Sequence, residues 1–308
     1  MDKFIDYFIK LFNLTNEKLT KLVVALIQFI VIAFGVFASN LLLVALVPRL
    51  FGFLPEASLY RQWLTILIIN LLSGVITYLL YRYATRDRAN HFLASDNDVI
   101  GYHNFVGGMT FAFVLSVLVM GYLFVTKQLT FNGFNPSFLL LVNLLFAFSL
   151  TWFEEIFFRG VIQNVFSQVN PLASAIFAAL VYILFISSFP EQVGFNLFLG
   201  LFLSLVAYLK RDIYFGLGFM FIWRLSQLIM GWRVRGFLHV QTLLDTSLDL
   251  KAKTYFSKAA TPDLDSWYGM NIIYFLFSLL ILALVGYRYY LKKKRVKNKN
   301  LGLYTNDK

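Results

Sequence analysis

Long apolar blocks alternate with short polar ones along this chain. Crossing the hydrocarbon core takes about 20 mostly apolar residues in helical form. Eight blocks meet or approach that length: 22–47, 62–82, 105–126, 137–162, 171–189, 193–209, 213–232 and 268–290. Most are apolar all round rather than along one stripe, which suits lipid better than a half-wetted surface. The pattern predicts an all-α, polytopic membrane bundle of about eight transmembrane helices, with almost no soluble domain. Phe189-Pro190-Glu191-Gln192 predicts a tight turn between the fifth and sixth blocks, because proline disfavours helix at the residue before it. At the N-terminus, the apolar residues of Met1–Phe12 recur at helical spacing against Asp2, Lys3, Asp6 and Lys10, as in a short amphipathic helix lying in the membrane interface. The expected organisation is an interfacial segment 1–20, a transmembrane domain 21–291 and a basic tail 292–308. The loop 233–267 is the one place for a small cap outside the membrane.

Composition sharpens this picture. Of 308 residues, 59% are hydrophobic and 14% charged, against about 25% charged in an ordinary soluble domain. The net charge of +11 does not argue for nucleic acid, because Lys and Arg gather beside apolar blocks as the positive-inside bias requires. Lys292-Lys293-Lys294-Arg295 places the tail in the cytoplasm. An even number of helices then places the N-terminus there too, in agreement with Lys3, Lys10, Lys18 and Lys21, with Arg82, Arg86 and Arg88, and with Lys210-Arg211. The chain has no cysteine, so it has no disulfide, thiolate metal site or cysteine nucleophile. No cleavable signal peptide is evident. The 35 Phe and 17 Tyr read as lipid-facing and interfacial residues, Tyr287-Arg288-Tyr289-Tyr290 being an anchor beside the lysine run.

Ionisable residues inside spans cost roughly 2.5–3.5 kcal/mol each on insertion scales, so they are where chemistry is sought first. Glu154-Glu155-Ile156-Phe157-Phe158-Arg159 lies in the fourth block. Glu155 and Arg159 are four apart and share a helix face, while Glu154 points about 100° away. Two carboxylates and one arginine leave one carboxylate needing a partner from elsewhere. Arg224, in mid-span of the seventh block, is the obvious one. These groups read either as buried ion pairs that fix packing, or as a carboxylate that activates water or binds a metal.

At Glu154-Glu155-x-x-x-Arg159, followed by Gly160, the sequence resembles the CPBP family of intramembrane proteases (CAAX prenyl protease and bacteriocin-processing, also called Abi). The similarity extends over about 105–236 and includes Asn170-Pro171, Gly200, Lys210-Arg211 and the stretch Asp212-Ile213-Tyr214-Phe215-Gly216-Leu217-Gly218. It implies a helical bundle in which glutamate and two histidines, from Phe-x-x-x-His and His-x-x-x-Asn motifs, activate water on a peptide bond inside the membrane, with or without a metal. This chain departs from that pattern. Its three histidines are His91, His103 and His239, and none falls between 104 and 238. Ser187 stands where the first family histidine would be, with Ile183 in place of the motif's Phe. Met220 stands at the second, with Arg224 in place of the motif's Asn. Neither serine nor methionine can act as a base near neutral pH as imidazole does, and methionine is a poor zinc ligand. His91 and His103 are expected in a solvated loop with Asp96 and Asp98, and His239 near the opposite membrane face.

The resemblance and its losses together imply a degenerate family member. The expected role is that of a non-catalytic pseudoprotease, a scaffold or regulator bound to lipid and to another membrane protein or peptide in a bacterial cytoplasmic membrane. Glu154, Glu155, Arg159 and Arg224 form its site, with no cofactor. Bacteriocin immunity or processing, or regulation of envelope enzymes, is the setting the family implies. One alternative is a divergent endopeptidase using Glu154 or Glu155, with Arg224 on the oxyanion, the one reading that would call for zinc. Another is a small transporter or lipid-handling protein using the Glu/Arg groups as a relay.

Overall fold

Helices account for nearly all of the described residues. The structure, a computed structural model, describes residues 17–53, 59–85, 98–127, 129–134, 139–186, 190–230, 244–248, 274–283 and 285–286. The helices are α1 (Glu17–Leu50), α2 (Leu59–Thr85), α3 (Asp98–Val125), α4, α5 (Pro171–Ile186), α6 (Pro190–Lys210), α7 (Tyr214–Ile229) and α8 (Tyr274–Ala283). Helix α4 is composite: an α-helix Leu139–Glu154, a π-helix Glu155–Gln163 and a closing turn Asn164–Ser167. Five helices, α1, α2, α3, α4 and α6, are long and apolar enough to cross a membrane, and α5 and α8 are shorter apolar helices. Large apolar side chains face outward along them, among them Phe34, Leu118, Leu184 and Phe185. Water would penalise such a surface, whereas lipid accepts it. The chain is a membrane protein.

The helices form two main packed groups. The π-helical stretch of α4 is buried throughout and packs with α1, α2 and α5 around Phe157, Phe158, Val161 and Tyr182. The second group joins α3, α6, α7 and α8 around Phe195, Phe202, Phe219, Trp223 and Tyr274, whose rings meet edge-on except for the stacked pair Phe219–Trp223 and the tilted pair Phe202–Tyr274. Helices α3 and α7 pack at backbone distance. A Cβ on Gly108 would fall on the carbonyl oxygen of Phe215, and one on Gly218 on that of Phe105. Two glycines, one on each helix, thus allow a crossing that larger residues would hold apart.

Expectation and structure differ at several points. The all-α expectation omits an antiparallel ribbon. β1 (Leu129–Phe134) pairs with β2 (Leu244–Leu248), with an irregularity between Phe131 and Gly133. β1 follows α3 and β2 follows α7, so the ribbon lies at the end of the bundle away from the α6–α7 turn, and β2 is the described part of the 233–267 loop. Alternation of apolar and small polar residues in Leu129-Thr130-Phe131 favours a strand where the segment is too short for a helix. Pro190 and the two residues after it open α6 rather than forming the turn, since proline's fixed φ suits a first helical position. His103 lies exposed in the second turn of α3, not in a loop, because Asp98 starts that helix seven residues before the expected span. An acidic residue is favourable at a helix N-terminus. Residues 1–16, His91, Asp96, Ser187, His239 and the tail 292–308 lie outside the described residues.

The α3–α7 crossing yields a first prediction. Gly108→Ala and Gly218→Ala each should lower the thermal unfolding temperature in detergent, by an amount equivalent to about 1–3 kcal/mol of overpacking or more. Gly107→Ala, whose Cβ would meet nothing within 4 Å, should leave it unchanged.

Candidate functional site

The site is built where α4 changes from α- to π-helix. A π-helix bonds i to i+5 and widens the turn, and such segments often occur at functional sites. Glu155, Arg159 and Gln163, each four residues apart, run along it as a polar stripe. Arg159 Nη1 donates to Glu155 Oε1 at 2.9 Å. The Arg159 guanidinium carbon stands 4.5 Å from the centroid of the Tyr182 ring on α5, within cation–π range. Gln163 Nε2 donates to the backbone carbonyl of Ser204 on α6 at 2.8 Å.

A second pair joins two helices. Arg224 Nη2 donates to Glu154 Oε2, and Arg224 Nη1 donates to Thr151 Oγ1 at 3.2 Å. The four charged residues are 0–3% exposed: Glu155 and Arg159 at 0%, Glu154 at 1% and Arg224 at 3%. Gly216 opens the space for this. It sits against the Glu155 carboxylate so closely that a Cβ there would overlap Oε2. Gly216, Met220 and Arg224 are spaced four apart on α7, so one side of that helix presents all three towards α4. Met220 is buried, and on α7 it lies between the residue that faces Glu155 and the one that pairs with Glu154.

The structure thus brings Glu154, Glu155, Arg159 and Arg224 together in two ion pairs. Thr151, Gln163, Ser204 and Tyr182 were not foreseen. Thr151 and Gln163 carry a sequence signal, each being one helical turn outside the charged motif. Ser204 and Tyr182 come from other helices and carry none. A zinc ion does not fit. Among the described residues no group of three or more His, Cys, Asp or Glu could hold a metal. The two glutamates that are present each hold a guanidinium, whose fixed charge opposes a cation.

Residues 134–226 match the family described as type II CAAX prenyl endopeptidase Rce1-like. The similarity to that family is confined to this segment, less than a third of the chain. No curated protein and no solved structure matches the chain significantly. The matched segment begins at the end of β1 and closes two residues beyond Arg224, so it contains every charged residue of the site.

A polar latch lies at the α6–α7 turn. Asn104 Nδ2, on α3, donates to Asp212 Oδ2, and the Tyr214 backbone N–H donates to Asp212 Oδ1 at 3.1 Å. Arg211, just before it, takes a left-handed φ of 60° as its N–H bonds back to the Ala207 carbonyl at 2.8 Å, closing α6. Burial raises the Asp212 pKa, against the hydrogen bonds from Asn104, Tyr214 and Phe215 and the charge of Lys210.

Two predictions follow from these contacts. Arg224→Ala should destabilise the purified protein by about 3–5 kcal/mol, as it leaves a buried carboxylate unpaired. Adding Glu154→Ala should recover part of the loss, so a double-mutant cycle read by thermal unfolding shows a coupling of about 0.5–3 kcal/mol. Additive losses would show that the pair is not energetically coupled. For Asp212, a folded-state pKa above the unfolded one means the native state binds the proton more tightly. The stability this group contributes is full below the ordinary aspartate value and is lost as pH rises through the raised one. Wild type minus Asp212→Asn stability should therefore fall with rising pH across that window, and a flat difference would contradict it.

Proposed function

We propose that this chain is a non-catalytic relative of the CAAX and bacteriocin-processing proteases, working as a scaffold or regulator of a partner membrane protein in a bacterial cytoplasmic membrane, with both termini cytoplasmic. The observation that carries the reading is that both carboxylates of the family motif are tied to buried arginines, one of them at the position of the family's last histidine motif. A hydrolytic site needs a base free to take a proton from water. Here Glu154 is bound to Arg224, and Glu155 offers one oxygen to Arg159. Between 104 and 238 the chain has no imidazole to replace them. What remains suited to function is the bundle itself, with apolar outer faces that another membrane protein could meet.

One observation favours a second reading, a divergent endopeptidase. Glu155 Oε2 is buried without a hydrogen-bonding protein partner, so one lone-pair face of that carboxylate is uncommitted. In that reading Glu155 polarises water, and Arg224 would have to leave Glu154 to meet the oxyanion.

The deciding experiment incubates the purified protein, in nanodiscs, with a mixed library of membrane-peptide and lipidated-peptide substrates, with and without zinc, and reads cleavage by mass spectrometry. Glu155→Gln runs beside it. No cleavage in a folded, monodisperse preparation is the expected result. Cleavage that disappears in the variant would overturn the non-catalytic reading.

A further inference from the structure

The polar stripe of the π-helix contains more hydrogen-bonding capacity than the protein itself uses. Arg159 is 0% exposed, yet its Nε and Nη2 have no hydrogen-bonding protein partner. The same holds for Glu155 Oε2, Gln163 Oε1 and Ser204 Oγ, all in residues that are 0% exposed. These atoms are not scattered. Contacts link Arg159, Gln163 and Ser204 in a closed circuit. Arg159 stacks on Tyr182, and Tyr182 packs against Gly200 with no room for a larger side chain. Gly200 is one turn before Ser204 on α6, and Ser204 accepts from Gln163, which lies one turn beyond Arg159 on α4. The unused groups of these three residues therefore border one region between α4, α5 and α6, while Glu155 Oε2 faces Gly216 on α7.

Leaving a buried donor or acceptor without a partner costs about 1–3 kcal/mol, and more for a charged group. Arg159 Nε and Nη2 are both donors, and Ser204 adds a hydroxyl proton. Gln163 Oε1 and Ser204 Oγ are acceptors. Donors and acceptors are thus both present, as neutral molecules that donate and accept would require. An anion would face the Glu155 carboxylate, and a cation the guanidinium.

We propose that this region is an internal water site, in which ordered water bridges the Arg159 guanidinium, Gln163 Oε1 and Ser204 Oγ. Buried waters typically make about three hydrogen bonds to groups that lack other partners. The bridged set explains how a full guanidinium is held beside aromatic rings in an apolar bundle when one protein oxygen answers it. It also explains why the widened π-turn, with its polar stripe, is buried rather than turned outward. The site holds water whether or not the chain cleaves peptides, so its fate is independent of the proposed function.

Pulsed hydroxyl-radical footprinting by X-ray radiolysis, read by mass spectrometry, tests it, because radicals formed from bound water label the side chains beside it. The intact protein in nanodiscs would be compared at two buried aromatic side chains, Tyr182 at 1% and Phe166 at 7% exposed, each rate normalised to the free residue's reactivity. Phe166 packs on the Phe29 and Phe177 rings, has no polar side-chain atom and serves as the dry reference. Tyr182 should be labelled at least about fivefold faster than Phe166 if water is held beside it. In Gln163→Leu/Ser204→Ala, shown to be folded by its unfolding transition, that ratio should fall towards one. Equal labelling of the two side chains in the wild type overturns the proposal without recourse to any variant. So does a ratio that persists unchanged in the folded variant.

Discussion

Four charges buried in an apolar bundle constrain everything around them. Taking a carboxylate and a guanidinium out of water costs several kcal/mol per ion, and mutual attraction repays this only with close geometry and further hydrogen bonds. The two pairs meet that condition differently. Glu155–Arg159 closes within one helix, at a spacing any helical stretch of that sequence would offer. Glu154–Arg224 closes between α4 and α7, so it forms only when those helices stand at one relative height and rotation. Such a pair adds little net stability compared with apolar residues, but it penalises every other arrangement of the two helices.

The glycines of α7 serve that constraint from two sides. Gly218 brings α7 to backbone contact with α3, which fixes its depth in the bundle. Gly216 gives the Glu155 carboxylate room against α7. The Asp212 latch to Asn104 ties the start of α7 to the start of α3. Depth, rotation and end point of α7 are thus set by three separate contacts, and each of them positions Arg224.

The sequence carried the helices and the charged motif well, for a physical reason. Hydrophobic length is a local property, and eight apolar blocks emerge as eight helices among the described residues. The Glu155–Arg159 pair is local too, fixed by a four-residue spacing. The Arg224–Glu154 pair was legible because charge balance inside lipid leaves few candidates. Other features depend on tertiary approach or on local competition, and these were not legible. Ser204 and Tyr182 come from helices with no charged residue near them to draw notice. The π-helical turn leaves the apolar pattern of α4 unbroken. The β1–β2 ribbon pairs segments 110 residues apart, which no local periodicity reports. At Pro190 the disfavoured helix at the residue before proline points to a turn, but proline's own suitability for a helix start prevails.

A pair of buried glutamates is not by itself a sign of hydrolytic chemistry. Two glutamates alone in the bundle would be like charges side by side, and one arginine would leave one of them unmatched. With Arg159 and Arg224 both present, the set has two negative and two positive groups and is neutral as a whole. Removing any one member leaves a buried charge, at a cost greater than the whole set's net contribution. Glu154 and Glu155 are therefore held in place by the arginines. A neutral side chain in such a site, such as Met220, carries no comparable obligation, because it can be exchanged for another neutral group of similar size without stranding a charge.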